Sequence, residues 1–144
     1  MMLLYRLGNQ LYKWNVPLLY KLCDILIRLV HNCAVFSETK IGKGTQFGYH
    51  GIGVVIHKRA VIGENCSIGT GVTIGGRSKL NDVPVIGNNV YVASGAKVLG
   101  AVSIGDNCVI GANAVVIIDM PANTMAVGVP AKIIKTDIIS NDFR

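Results

Sequence analysis

Three histidines are the side chains best suited to chemistry near neutral pH. An imidazole with an ordinary pKa near 6.5 can take a proton from a hydroxyl and give it back. His50 lies in Gly48-Tyr49-His50-Gly51-Ile52-Gly53, where the glycines let backbone and substrate approach closely. There it is a candidate general base, a role worth roughly 10²–10⁴-fold in rate. A loop histidine without a role is the competing reading. His57 follows Ile56 directly and is a weaker candidate, for assisting substrate binding. His31 ends a leucine-rich stretch and is expected to be structural. Cys23, Cys33, Cys66 and Cys108 show no CxxC spacing and follow no cleavable signal peptide, so reduced thiols in a cytoplasmic protein are expected. The scatter of Cys and His speaks against a metal site.

His50 stands out because of the pattern around it. Every sixth residue from 56 to 116 is aliphatic: Ile56, Ile62, Ile68, Ile74, Leu80, Ile86, Val92, Val98, Ile104, Ile110 and Val116. Ile, Leu and Val make up about a third of the chain, so an unbroken run of this length marks a repeat. A period of six divides by two and not by 3.6, which suits short strands with alternate side chains turned inward. Small residues follow many of the aliphatics. Gly, or Asn at Asn65, Asn89 and Asn107, can take the backbone conformations that tight corners require. The spacing therefore predicts a parallel β-solenoid. A β-sandwich would need hairpin signals at irregular intervals.

The phase slips once before this run. Ile41 and Phe47 are six apart, but Ile56 lies nine after Phe47. Three extra residues must leave the wall between Gly48 and Val55, and His50 is among them. A second stretch, Gly75 to Pro84, keeps Leu80 in phase yet holds Lys79, Asn81, Asp82 and Pro84; an external loop and a regular rung are both compatible with it.

Residues 1–33 have a different composition. Leu3, Leu4, Leu7, Leu11, then Leu18, Leu19, Leu22, Ile25, Leu26 and Leu29 recur at helical intervals, so two amphipathic helices separated near Pro17 are expected. Arg6, Lys13, Lys21 and Arg28 lie along a broadly similar face, which makes this segment a candidate for peripheral contact with anionic lipid or, more simply, a solvated face. Pro17, Lys21, Asp24, Arg28 and His31 interrupt the apolar stretch Val16 to Val35, against a membrane span. The expected organisation is a helical segment 1–33, a coil 34–135 and a tail 136–144. With 144 residues, 51% hydrophobic and 15% charged, the chain suits one folded core rather than a disordered one. Its net charge of +6 is spread evenly, and with 6% aromatics it lacks the basic stripe and interleaved rings of a nucleic-acid binder.

The repeat resembles that of the hexapeptide-repeat acyltransferases over residues 34–135. The resemblance implies a left-handed parallel β-helix, a handedness the general rule for parallel crossovers would not favour. The run His50-Gly51-Ile52-Gly53-Val54-Val55-Ile56 is similar to the segment of serine O-acetyltransferases that contains the catalytic base. Further matching segments include Gly71-Val72-Thr73-Ile74-Gly75-Gly76 and Ala126-Val127-Gly128-Val129-Pro130-Ala131. The resemblance implies direct attack of an acceptor hydroxyl on acetyl-CoA, without a metal or an acyl-enzyme, in a homotrimer with sites between subunits. It places the pantetheine arm along Ser94 and Ala112. Lys97, Lys132 and Lys135 are candidates for the phosphates, because Ile117-Ile118 stands where sugar acetyltransferases of the family often carry Thr-Lys.

Two departures from the serine enzymes stand out. A histidine expected before Pro84 is absent, the chain reading Asp82-Val83-Pro84, and the aspartate that orients the imidazole aligns with Ala34. Glu38 is the acidic residue nearest in sequence that could replace it. The chain also resembles small acetyltransferases of capsule and O-antigen synthesis, so a sugar hydroxyl is the expected acceptor. Serine is the alternative, and a non-catalytic solenoid scaffold is the reading from another class.

Overall fold

A computed structural model describes residues 1–77, 82–138 and 143. Two helices come first, α1 (Met2–Lys13) and α2 (Pro17–His31). Pro17 opens α2, where its missing N–H costs no hydrogen bond, and Asn32 closes it with left-handed backbone (φ 49).

The strands that follow are short: β1 (Lys40–Ile41), β2 (Gln46–Phe47), β3 (Val55–Ile56), β4 (Val61–Ile62), β5 (Ser67–Ile68), β6 (Thr73–Gly75), β7 (Val85–Ile86), β8 (Tyr91–Val92), β9 (Lys97–Leu99), β10 (Ser103–Ile104), β11 (Val109–Ile110), β12 (Val115–Val116), β13 (Met125–Val127) and β14 (Lys132–Lys135). They form three sheets, ordered β1-β4-β7-β10, β2-β5-β8-β11-β13-β14 and β3-β6-β9-β12. Every pairing is parallel except β13 with β14. The chain visits the three sheets in turn, so the fold is a three-sided left-handed parallel β-helix with two helices at its start.

Inside the prism the aliphatics stack rung on rung. Ile62, Ile86 and Ile104 line one wall, Ile68, Val92 and Ile110 the second, and Ile56, Ile74, Val98 and Val116 the third, all buried. Each such side chain contributes about 1.5–3 kcal/mol by leaving water. Asn65 (φ 53), Asn89 (φ 56) and Asn107 (φ 58) take the left-handed corner conformation, as their residue type predicts.

The register also settles the two irregular stretches. Ile86 and Ile104 face each other 18 residues apart, one plain turn, whereas Ile62 and Ile86 are 24 apart. The six additional residues fall between β6 and β7, a stretch that lies partly outside the described residues. Leu80, expected in the wall by phase, lies outside the described residues. Ile41 and Ile62 are 21 apart, the three-residue surplus that surrounds His50.

The corners differ in the room they leave. After the first sheet the residues are Gly42, Gly63, Gly87 and Gly105; a Cβ on Gly63 would collide with the Gly87 carbonyl, and one on Gly105 would lie 2.5 Å from the Ala122 nitrogen. After the third sheet they are His57, Gly75, Leu99 and Ile117, and a Cβ on Gly75 would meet nothing within 4 Å.

The helices dock on the first rung. The buried Tyr5 hydroxyl donates to the Thr39 carbonyl (2.6 Å) and accepts the Ile41 N–H (3.2 Å). Arg6 donates to the carbonyls of Ile41 (2.8 Å) and Gly42 (2.5 Å). Asp24 accepts the Ser37 N–H (2.8 Å). Tyr5, Gly8, Cys23 and Ile27 are the buried residues of the helices, while Leu3, Leu7, Leu18, Leu22, Ile25 and Leu29 are exposed. Most of the leucines thus point away from the coil, and the contact is made by Tyr5, Gly8, Cys23 and Ile27 with Leu4 packed against the core. Among the described residues no helix is long and apolar enough to cross a membrane.

All four cysteines are buried as thiols. Burial raises the pKa of Cys23 and Cys33, leaving less reactive thiolate at neutral pH. The native protein is expected to react with a thiol reagent far more slowly than the denatured chain. Rapid labelling of the folded protein would contradict this packing.

Candidate functional site

The three-residue surplus is taken up at the kinked four-residue turn Gly48–Gly51, on the corner between the second and third sheets. Tyr49 (φ 47) and His50 (φ 59) both have left-handed backbone, which side chains of this size adopt only when the surroundings impose it. Glycines at Gly51 (φ 83) and Gly53 (φ 71) continue the bend. The loop is pinned at both sides: the Gly53 N–H donates to the Asn32 carbonyl (2.9 Å), and the Gly71 N–H to the Ile52 carbonyl (2.9 Å). His50 is exposed, so the break in the repeat does put this imidazole outside the wall.

Ser94 and Ala112 lie on the same corner. The register Phe47↔Ile68↔Val92↔Ile110 stacks Tyr49, Thr70, Ser94 and Ala112 as the second residue after each inward position. With neighbouring strands about 4.8 Å apart, Ser94 and Ala112 sit about 10 and 14 Å along the coil from the rung that launches His50. Both are exposed, and the Thr70 hydroxyl donates to the Ser94 hydroxyl (3.2 Å). The structure therefore brings His50, Ser94 and Ala112 to one edge, with a narrow track of small side chains along it.

Other sequence candidates are engaged elsewhere. Glu38, the acidic residue nearest His50 in sequence, pairs with Lys58 (3.5 Å) at the surface, and Asp24 holds Ser37. His57 accepts the Arg59 N–H on its Nδ1 (3.2 Å), a local turn contact on the roomy corner, where Leu99 and Ile117 show that no glycine is required. Lys97 donates to the carbonyls of Gly71 and Gly95 (2.9 Å each), which ties its ammonium to the coil, while Lys132 and Lys135 are exposed. Among the described residues no group of three or more His, Cys, Asp or Glu could hold a metal ion.

His31 was expected to be structural, yet its ring faces that of His50 with centroids 5.8 Å apart and planes tilted by 36°. It is half-buried, and its pKa is lowered, first by burial, then by the Met1 amino group and by His50. No local spacing signals this pair, since it exists only because α2 docks on the coil. Beside it, Arg28, Asn32, Ala34, Gly53 and Val55 line a cavity of about 240 Å³ between the end of α2 and β3.

Residues 84–117 match the bacterial transferase hexapeptide (six repeats) family. A serine acetyltransferase of Helicobacter pylori is 42% identical over 138 residues, covering 94% of this chain and 80% of that protein. The chain belongs to the serine acetyltransferase family. A serine acetyltransferase of Synechococcus elongatus is 38% identical over 132 residues, 90% of this chain, which spans 54% of that relative's length. The structure of serine acetyltransferase in complex with coenzyme A from Brucella abortus superposes with a TM-score of 0.88 at 31% identity, covering 94% of this chain and 54% of that one.

Proposed function

We propose that the protein transfers the acetyl group of acetyl-CoA to the hydroxyl of L-serine, with His50 as the general base. The observation that carries this reading is an exposed imidazole on a strained, tethered loop, at the head of a column of small residues containing Ser94 and Ala112. His50 takes the hydroxyl proton as the oxygen attacks the thioester carbon. The tetrahedral oxyanion collapses, the C–S bond breaks, and the imidazolium returns the proton to the departing thiolate. The thin pantetheine arm would lie along the Ser94–Ala112 track, where larger side chains would hold it off the backbone.

A saccharide acceptor, expected from the sequence, gives way to serine, because the relatives that cover most of this chain are serine acetyltransferases. Assembly as a homotrimer, with the track shared between neighbouring subunits, belongs to the same proposal. The exposed leucine row of α1 and α2 supports assembly, since apolar side chains in such number favour a covered surface.

The test is release of CoA thiol on mixing the protein with acetyl-CoA and L-serine. Serine-dependent release is expected. Silence with serine and turnover with sugar acceptors would return the acceptor to the saccharide class.

A further inference from the structure

We propose that His31 is a positioning residue for His50, accepting an N–H from its imidazole through one bridging water, in place of a carboxylate. This rests on the reading of His50 as the base. The two histidines are nineteen residues apart in sequence, and α2 brings their rings to a centroid separation of 5.8 Å. Centroids this far apart leave the ring nitrogens beyond direct hydrogen-bond distance and within reach of a single bridging water.

The backbone holds the pair in place. Asn32, next to His31, accepts the Gly53 N–H from the His50 loop (2.9 Å). Two residues further on, Ala34 donates to the Val54 carbonyl (2.8 Å) and accepts the Ile56 N–H (2.8 Å). The end of α2 and the far side of the loop are thus part of one ladder, and the rings meet across it.

The chemistry of the surroundings suits an acceptor. The titratable groups acting on His31 are the Met1 amino group from α1 and His50 from the loop, and Arg28 stands one turn earlier on α2. Each is a cation when protonated, and His31 is half-buried, so the neutral imidazole is favoured there, with a free lone pair on one nitrogen. An N–H donated to a water that His31 holds fixes which nitrogen of His50 carries the proton, leaving the other to receive the one from the acceptor hydroxyl.

The experiment compares His31→Phe, His31→Gln and His50→Asn by pH–rate profile and by NMR titration of the His50 ring, with circular dichroism confirming the fold. His31→Phe keeps a ring and removes the acceptor, whereas His31→Gln keeps an acceptor oxygen. For His31→Phe the expected result is a fall in kcat of about tenfold or more, with KM for acetyl-CoA unchanged. Loss of an acceptor that favours the charged form should also lower the His50 titration midpoint by about half a pH unit, moving the acid limb of the profile with it. His31→Gln should recover part of both. If His31→Phe leaves the His50 midpoint in place or raises it while His50→Asn is inactive, the inference fails and the base assignment stands. If His50→Asn keeps wild-type transfer, the base assignment fails, and the midpoint shift still decides whether His31 is coupled to His50.

Discussion

His50→Ala lowers acetyl transfer by about 10²–10⁴-fold while the thermal transition stays nearly where it was. The rate loss follows if His50 is, as proposed, the group that takes the hydroxyl proton as the thioester is attacked. The small effect on stability follows from exposure, since the imidazole fills no part of the core. Alanine is a poor guest at φ 59, so His50→Asn is the stricter variant, because asparagine accepts left-handed backbone readily. Both variants should be equally inactive in an assay of CoA thiol release. Transfer within about twofold of wild type in either would remove His50 from the chemistry.

Gly63→Ala should destabilise the coil by about 1–3 kcal/mol, or more if the turn cannot shift, because its Cβ meets the Gly87 carbonyl and the next rung's backbone has no slack to yield. Gly75→Ala adds the same methyl on the third corner, where nothing lies within 4 Å, and should be close to neutral or slightly stabilising. Thermal unfolding of the two variants side by side measures the difference. Equal losses would mean that the first corner has room the rung spacing denies it.

What the sequence revealed depended on whether a feature disturbed the count of six. The inward aliphatics repeat because every turn of the prism asks the same question of them, so the wall could be read from Ile56 to Val116. The three-residue surplus around His50 breaks the count and was visible for that reason. The six-residue surplus between Ile74 and Ile86 equals one period and therefore hides within the count; the pairings Ile62↔Ile86, Ile68↔Val92 and Ile74↔Val98 expose it. The difference between Gly63 and Gly75 was invisible as well, since the repeat is counted alike on every corner and the space is not. His31 lay beyond any local pattern, because its partner is chosen by the docking of α1 and α2 through Tyr5, Arg6 and Asp24. For the same reason the leucines of the helices looked like the buried face and turned out to be the exposed one.

A stack of like rungs has no length of its own: its last rung offers the same unmet N–H and C=O groups as any other, and a second molecule could continue where the first ends. Here Tyr5 and Arg6 occupy carbonyls that a further turn would claim at one end, and β14 runs against the grain of β13 at the other. The pieces that refuse the repeat are what make this a particle of fixed size instead of a seed for a filament.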